Sequence, residues 1–223
     1  MSQSIKPDNY YGRPEVSNSD LSWLYNQLYS NGNLRDPTEA YLDGSLLDAM
    51  ITEQFRVNYF KRPLDDRPFK KERFENSVKM KGSFWKDEFC SLMASGADAQ
   101  KISIVHDKEF NYQGYKFLMD VRCKWDLWRS DWGWGGDIKS TTATTQLQFE
   151  AAALFFNYDR QRAWYMDIEN SDRDVLIGIS KIKPYKVFKI FINRNSDFYR
   201  NGKEKYMELA FRHYLLFGKQ KAA

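Results

Sequence analysis

The sequence contains few of the residues that hold zinc or form disulfide frameworks. Its 223 residues include two cysteines, Cys90 and Cys123, and two histidines. No Cys-x-x-Cys pair and no Cys/His spacing of a zinc site occurs, which argues against structural zinc. Two cysteines form at most one disulfide, and no other feature indicates secretion. The expected location is therefore a reducing cytoplasm.

Long apolar runs are also missing. No stretch approaches the roughly 18 apolar residues that a membrane-spanning helix needs. The segment Met1–Tyr11 is polar and lacks the apolar core of a signal peptide. Residues 1–16, with Pro7 and Pro14, are predicted to form a flexible arm. The remaining residues, 17–223, are expected to form a single domain with a sizeable core.

The composition is that of a globular protein with a mildly basic surface. Hydrophobic residues make up 42%, charged residues 29% and aromatic residues 17%, with seven tryptophans. The aromatic share predicts many ring contacts in the core, on the surface, or both. A net charge of +4 permits an anionic partner but does not demonstrate one.

The first part of the predicted domain, residues 17–95, is mainly helical. Capping residues Ser17–Asp20 precede a helix that is expected to end at Asn31–Asn33. A second helix is predicted over Thr38–Tyr59 and a loop over Lys61–Lys71. A third helical stretch is predicted over Phe74–Ala94, with a break at Gly82.

The second part, residues 96–223, alternates strands and helices. Alternating apolar residues on both sides of the turn at Asn111–Gly114 predict a hairpin, and a further strand is expected at Asp137. The elements predicted after it are a long helix Thr145–Asp167, strands Val175–Ile179 and Val187–Ile192, and a helix Asn201–Phe217. This order predicts an α/β or α+β layered domain.

An acid and a lysine lie two residues apart at Asp137 and Lys139. Alternate residues of a strand point to the same face, so both side chains are expected on one wall of a cleft. A second acid on a neighbouring strand would complete a site for a divalent metal and a phosphodiester. Asp120 is predicted to be that acid; Asp126 is the alternative, and strand phase does not separate the two.

These residues resemble the PD-(D/E)XK nuclease superfamily, most closely its RecE and lambda-exonuclease branch with RecB-like relatives. The order of acid, D/E-x-K, helix and Q-x-x-x-Y is matched by Asp120, Asp137, Lys139, Gln161 and Tyr165. The resemblance implies catalytic roles for these five residues. It also implies a restriction-endonuclease-like core, in which helices flank a central mixed β-sheet and the N-terminal part is helical.

Two N-terminal motifs extend the resemblance to residues 17–168. Ser17–Leu21 is similar to the S-x-S-x-L opening of RecE-type enzymes, and Gly44–Glu53 aligns without a gap with G-[ST]-x-x-H and the glutamate five residues later. The resemblance implies that Asp48 and Glu53 bind metal beside Asp120 and Asp137. Asp48 stands where the family has histidine, and Gln100 stands near the place of a family glutamate, so the second metal position is expected to be weakened.

Substrate contacts are predicted for Ser140, Thr141, Trp134, Lys181 and Lys183. Four tryptophans lie just before Asp137, at positions 125, 128, 132 and 134. They predict either a stacking platform for bases or a hairpin packed with rings. Five basic residues near the end of the chain either follow phosphates or form a solvated strand face: Lys181, Lys183, Lys186, Lys189 and Arg194.

The resemblance implies a Mg²⁺- or Mn²⁺-dependent exonuclease that digests linear double-stranded DNA from its ends. It also implies 5′-to-3′ polarity, a phage-like role in DNA recombination or repair, a ring-shaped homo-oligomer and a single-strand annealing protein as partner. Two alternatives stay open at this point. One is a catalytically impaired nucleic-acid-binding protein on a nuclease scaffold, which Asp48 and Gln100 favour. The other is a different nuclease on the same core, such as an endonuclease or an RNA nuclease.

Overall fold

A computed structural model describes residues 10–29, 38–53 and 69–218. The predicted helix end at Asn31–Asn33, residues 54–59 of the predicted second helix, and most of the predicted loop Lys61–Lys71 lie outside these ranges. In chain order the described elements are α1 (Asn18–Tyr29), α2 (Thr38–Thr52), α3 (Lys71–Lys86), α4 (Glu88–Ser95), β1 (Asp98–Tyr112), β2 (Tyr115–Arg129), β3 (Trp134–Thr141), α5 (Gln146–Phe155), α6 (Tyr158–Glu169), β4 (Arg173–Ser180), β5 (Val187–Asn193) and α7 (Asp197–Phe217).

One mixed sheet with the strand order β1-β2-β3-β4-β5 organises the described chain. The pairs β1–β2, β2–β3 and β4–β5 are antiparallel, whereas β3 and β4 are parallel. A parallel pair needs a long crossover connection, which α5 and α6 supply. Helices flanking a central mixed sheet confirm the predicted α+β fold class.

The hairpin of β1 and β2 turns at Gln113 and Gly114, within the predicted turn. Both residues have positive φ, 51° and 85°. A two-residue turn of this kind matches the right-handed twist of the strands that it joins. The two strands then remain paired along nearly their whole length, from Tyr112 opposite Tyr115 to Asp98 opposite Trp128.

Strands β2 and β3 pair over only three positions, from Arg129 opposite Trp134 to Leu127 opposite Gly136. The next residues beyond the last pair are Asp126 and Asp137, and we call the place where the strands separate there the fork. The approach before the fork is close, because a Cβ at Gly135 would lie 2.5 Å from the Leu127 carbonyl oxygen. Glycine is therefore required in this part of β3.

Part of the free edge of β2 beyond the fork is occupied by the N-terminal segment. The Val16 N–H donates to the Asp120 carbonyl at 2.9 Å, and the Val16 carbonyl accepts from the Arg122 N–H at 2.9 Å. Tyr10 and Glu15 are buried. Residues 10–16 therefore pack against the sheet, which corrects the predicted flexible arm for this part of residues 1–16.

The buried apolar residues form two clusters. One joins β1 and β2 to α6 and α7, and includes Trp125, Trp164 and Tyr206. The other joins β3 and β4 to α2, α3 and α4, and includes Ile138 and Phe84. No helix among the described residues is long and apolar enough to cross a bilayer.

Two predicted helices differ from the observed elements. The stretch predicted as one helix from Thr145 to Asp167 is α5 and α6, separated at Asn157, which has a φ of 55°. The helical stretch of α3 and α4 breaks at Asp87 rather than at Gly82. Asp87 has extended backbone, and its carboxylate caps α4 by accepting from the Cys90 N–H at 3.0 Å.

Candidate functional site

The fork brings an acid of β2 next to the acid and lysine of β3. The Asp126 Oδ2 accepts a hydrogen bond of 2.7 Å from the Ile138 N–H, so its carboxylate replaces the next ladder bond between the strands. Lys139 Nζ lies 2.5 Å from Asp137 Oδ2. Asp126, Asp137 and Lys139 therefore form one cluster at the point where the strands separate.

Asp120 does not belong to this cluster, and the prediction that it joins Asp137 is wrong. It lies six residues before Asp126 on β2, which is roughly 20 Å along an extended strand. Its Oδ1 accepts from the Asp107 N–H at 3.0 Å, and its Oδ2 lies 3.5 Å from His106 Nδ1. Because β3 meets only the last residues of β2, the alternative acid, Asp126, is the one that reaches Asp137.

Asp48 brings a third carboxylate from α2. Burial raises its pKa to about 6, and repulsion by Asp137 adds to the shift. Burial also raises the pKa of Asp126 well above its usual range, followed by repulsion from Asp48 and Asp137. These mutual effects mean that the three carboxylates share one poorly solvated space, where a cation would relieve their repulsion.

Gln100 holds the Asp48 carboxylate from β1. Its Nε2 lies 3.1 Å from both carboxylate oxygens of Asp48 and 3.0 Å from Thr52 Oγ1. Its neighbours on β1 pair with Trp125 and Leu127, which puts Gln100 beside Asp126. Asp48 and Gln100, the two residues that differ from the motifs which the sequence resembles, therefore contact each other: the Asp48 carboxylate accepts and the Gln100 amide nitrogen donates.

Asp137 also accepts a hydrogen bond from Arg162, a buried arginine that the sequence did not indicate as a site residue. Arg162 of α6 donates to Asp137 Oδ1 through Nη1 and to Asp174 Oδ2 through Nε, both at 2.8 Å. Its guanidinium also lies 4.7 Å and 4.5 Å from the rings of Trp125 and Tyr165. Arg162 follows Gln161 directly in the sequence, but nothing in its spacing indicates that its acid partners lie on β3 and β4.

Asp174, the other partner of Arg162, was also missed. Burial raises its pKa to about 7, against the opposing effect of Arg162. The residue is buried near the start of β4, opposite Gly135. In the sequence, a single acid before an apolar strand looks the same whether it is buried, as Asp174 is, or exposed at the end of the strand.

Gln161 and Tyr165 lie on one face of α6, as their spacing predicts, and their catalytic roles stay predictions. Gln161 Nε2 lies 3.5 Å from the Tyr165 hydroxyl, and the Tyr165 ring packs edge-on against Trp125 with centroids 5.5 Å apart. Tyr158, one turn earlier, has its ring centre 5.1 Å from Lys139 Nζ. The face therefore approaches both the lysine and the arginine that contact Asp137.

The donor set fits a hard divalent cation in kind. Asp48, Asp126 and Asp137 supply carboxylate oxygens, which Mg²⁺ and Mn²⁺ prefer. Within residues 10–29, 38–53 and 69–218, however, no three acidic, histidine or cysteine side chains are already arranged around one point. Glu53 follows the last residue of α2 and is half-buried, so its predicted metal contact stays a prediction.

Three of the residues predicted to contact substrate, Ser140, Thr141 and Lys181, lie together where β3 and β4 end, and the Lys181 N–H donates to the Thr141 carbonyl at 2.7 Å. Ser140 and Lys181 line a small polar cavity, and Lys181 Nζ lies 3.1 Å from Asp43 Oδ2. Thr141 Oγ1 accepts from the Ala143 N–H at 3.1 Å. Trp134 lies at the opposite end of β3, and Lys183 is exposed in the β4–β5 connection. Their substrate contacts remain predictions.

The tryptophans before Asp137 pack against other rings, as one of the two alternatives predicts. Trp125 and Trp128 are buried with ring centroids 5.0 Å apart. Trp132 and Trp134 lie 5.0 Å apart and both contact Phe89.

Three of the basic residues near the last strands are engaged in ion pairs. Lys189 pairs with Asp87, Arg194 with Asp167, and Lys181 with Asp43. A side chain held by an acid must give up that contact before it can bind a phosphate. These three residues are therefore held in ion pairs and match neither the predicted phosphate contacts nor a solvated strand face.

Comparison with known proteins identifies the fold. No family model matches the sequence, and no curated protein matches it. A solved structure of a protein from Eubacterium rectale, named as a candidate exonuclease, matches with a TM-score of 0.61 and 17% identity, over 96% of this chain and 86% of that chain. A phage-related exonuclease from Haemophilus somnus 129PT gives a TM-score of 0.44 at 12% identity, over 93% and 96% of the chains, too low to support an argument. The first likeness confirms the predicted nuclease-like core at the level of the fold.

Proposed function

We propose that this protein is a metal-dependent nuclease of the PD-(D/E)XK type, of the RecE and lambda-exonuclease branch, that hydrolyses DNA phosphodiester bonds. The observation that carries the proposal is the cluster at the fork. Asp126, Asp137 and Lys139 meet there, with Asp48 beside them. The fold shared with a candidate exonuclease agrees with it.

Each residue of the cluster has a task in this chemistry. When bound, Mg²⁺ or Mn²⁺ would neutralise the scissile phosphate and lower the pKa of the attacking water. Asp126, Asp137 and Asp48 would hold the ion, with Asp126 taking the role expected of Asp120. Burial acts to lower the pKa of Lys139. The nearby carboxylates of Asp137 and Asp126 outweigh this effect and raise the pKa above its usual value, so the lysine side chain stays charged. It can then orient the water or stabilise the developing negative charge.

The finer parts of the proposal rest on the sequence resemblance. They are linear double-stranded DNA ends as substrate, 5′-to-3′ digestion, a role in recombination or repair, a ring-shaped homo-oligomer and a single-strand annealing protein as partner. Gln161 and Tyr165 support a shaped pocket, because their helix face lies beside Lys139 and Arg162.

The test is digestion of three labelled substrates: linear duplex DNA, closed circular duplex DNA and RNA. Each is incubated with Mg²⁺, Mn²⁺ or EDTA. Loss of only the linear duplex, and only with metal, is the expected result. Cleavage of the closed circle would instead identify an endonuclease, and cleavage of RNA an RNA nuclease.

Lys139→Ala is the matched inactive variant, because it removes the charge while the carboxylates remain. We expect it to lose cleavage and to keep DNA binding. Digestion at the wild-type rate by Lys139→Ala would exclude the proposed role of the fork and trace the activity to another site or to a contaminant.

A second candidate function, binding of nucleic acid without cleavage, is favoured by one observation. Asp137 is engaged by two cations, Lys139 at 2.5 Å and Arg162 at 2.8 Å, and these neutralise the carboxylate without a metal. DNA binding with no cleavage under any metal condition would select this candidate.

A further inference from the structure

Two adjacent phenylalanines are exposed at the joint between α5 and α6. Phe155 is 78% and Phe156 58% solvent-exposed, and their ring centroids lie 5.0 Å apart in an edge-to-face arrangement. We call Phe155, Phe156 and the following Asn157 the aromatic elbow. Single exposed apolar residues are ordinary, but two neighbouring exposed rings form a patch for which a binding partner is to be expected.

A series of rings connects the elbow to the fork. The Phe156 ring stacks on the Tyr158 ring with centroids 5.8 Å apart and planes 30° apart. The Tyr158 ring centre lies 5.1 Å from Lys139 Nζ. The exposed ring of Phe156 is therefore one aromatic side chain away from the lysine that faces the proposed scissile phosphate.

Backbone contacts fix the elbow in place. Asn157 adopts the left-handed conformation, with a φ of 55°, and its N–H donates to the Leu154 carbonyl at 3.1 Å. The Phe156 N–H donates to the Ala152 carbonyl at 2.9 Å. On the far side of the joint, buried Asp159 is held by Lys205 at 2.7 Å. Because the backbone that carries the two rings is held by these contacts, little backbone entropy is lost when a flat ligand stacks on the rings.

We propose that Phe155 and Phe156 stack the unpaired nucleobases of the DNA strand that enters the fork. This inference rests on the proposed nuclease function and adds how the substrate strand is held. A nucleic acid strand suits this surface, because it carries a flat base beside every phosphate. A ring surface next to the half-buried Lys139 matches both groups at once, and stacking on aromatic residues accepts any base.

The proposal is tested with 2-aminopurine, a fluorescent base that is quenched by stacking. DNA carrying it in a short single-stranded end is titrated with wild type, Phe155→Ala, Phe156→Ala and Phe156→Trp, in EDTA so that no cleavage occurs. Phe191→Ala is the matched control, since Phe191 on β5 is 56% exposed and also contacts another ring, that of Phe89 at 5.0 Å.

We expect Phe155→Ala and Phe156→Ala to bind this DNA on the order of tenfold more weakly and to change the fluorescence less. Phe156→Trp keeps a stacking surface and should restore both, whereas Phe191→Ala should match wild type. In cleavage assays with metal, replacing the end nucleotides by abasic sites should slow wild type. It should slow Phe156→Ala much less, because that variant has already lost the stacked base.

The outcomes separate this inference from the proposed function. If wild type cuts DNA but Phe156→Ala behaves as Phe191→Ala does with both normal and abasic ends, the stacking role is excluded and the nuclease proposal stands. If Phe156→Ala changes the oligomeric mass while its base dependence equals that of wild type, the elbow joins copies of the chain, and the stacking role is again excluded. If wild type neither binds nor cuts nucleic acid, both proposals fail.

Discussion

Asp137 lies between two cations that have different positions and different tasks. Arg162 is fully buried and ties Asp137 to Asp174, which fixes the carboxylate from within the protein. Lys139 approaches from the solvent side and keeps 21% of its side chain exposed. A buried charge without a partner is costly, so the arginine explains how β3 carries an acid at a fully enclosed position. Asp137 is thereby held in place at the fork by the protein's own cations.

The two acids of β2 provide a matched pair of variants. Asp126→Asn removes a charge that lies among the carboxylates of the fork, whereas Asp120→Asn removes a charge near His106. We expect cleavage of linear duplex DNA to fall at least on the order of a hundredfold for Asp126→Asn and to remain near wild type for Asp120→Asn. Initial rates with saturating Mg²⁺ measure the effect. The opposite ranking would restore Asp120 to the site and contradict the geometry of the fork.

At this scale the sequence predicted the pair Asp137 and Lys139, because alternate residues of a strand share a face. The choice of Asp120 over Asp126 was wrong, and strand phase could not correct it, since the two positions have the same parity. Nor could the sequence indicate Arg162 and Asp174, because a buried ion pair between a helix and a strand leaves no local spacing.

At the scale of elements, α6 and α7 meet through a glycine. A Cβ at Gly202 of α7 would collide with the backbone carbonyl of Asp159, whereas a Cβ at Gly82 of α3 meets no atom within 4 Å. Both glycines lie inside helices, where alanine is otherwise preferred by about 1 kcal/mol.

The two glycines therefore predict changes of opposite sign. Gly202→Ala should lower the free energy of unfolding by about 1–3 kcal/mol, because α7 must move away from α6. Gly82→Ala should raise it by about 0.5–1 kcal/mol. Urea unfolding measures both. Equal effects of the two substitutions would mean that α6 and α7 are not in contact at Gly202.

The same two helices are joined by the carboxylate of Asp167. Burial alone would raise its pKa, but hydrogen bonds from Tyr206 and Tyr199 and the charge of Lys203 more than offset burial and lower the pKa. The Tyr199 hydroxyl lies 2.7 Å and Lys203 Nζ 3.0 Å from the carboxylate. The folded state therefore favours the ionised form of Asp167.

This shift predicts how stability depends on pH. A depressed folded pKa contributes stability that is fully present above the unfolded value of about 3.9 and is lost as the pH falls through the folded pKa. Asp167→Asn should therefore be less stable than wild type at pH 6, and the difference should shrink below about pH 3.9. Urea midpoints from pH 6 to 3 measure it. A difference that stays constant with pH would show that the charge of Asp167 does not matter.

Most elements were predicted from the sequence, but their boundaries were not. The helical periodicity continues through Asn157, because Phe149 and Ala153 of α5 and Ala163 and Trp164 of α6 enter the same buried cluster. The spacing of apolar residues shows which side of a helix is buried, but it does not show where the chain bends between two helices. The left-handed residue that separates α5 from α6 is fixed by packing around it, and the aromatic elbow exists because of that bend.

At the scale of the whole molecule, the candidate site lies where the sheet divides. Elements from both clusters reach this place: α2 brings Asp48, and α6 brings Arg162 and Tyr158. Burial and mutual repulsion raise the pKa values of Asp48 and Asp126, so the folded state carries an electrostatic cost there. A bound divalent cation would offset this cost and stabilise the entire fold.

Metal binding should therefore be measurable as thermal stability, without any nuclease assay. We expect Mg²⁺ or Mn²⁺ to raise the Tm of wild type, with a stabilisation of about 2.7 kcal/mol when the ion is at a hundred times its Kd. Asp126→Asn should respond much less, and Asp120→Asn should respond as wild type does. An equal rise in all three proteins would locate the cation elsewhere.

Local sequence patterns were sufficient to predict the fold class, the strand that carries Asp137 and Lys139, and the helix face with Gln161 and Tyr165. These depend on local periods of two and three to four residues, which the backbone imposes at every position. Three features became visible only in the folded molecule: Asp126 is the acid of β2 that completes the cluster, Gln100 donates to Asp48, and the buried Arg162 holds Asp137. These depend on where two strands separate and on which helices cover them, and contacts between residues far apart in the chain leave no periodic trace in the sequence.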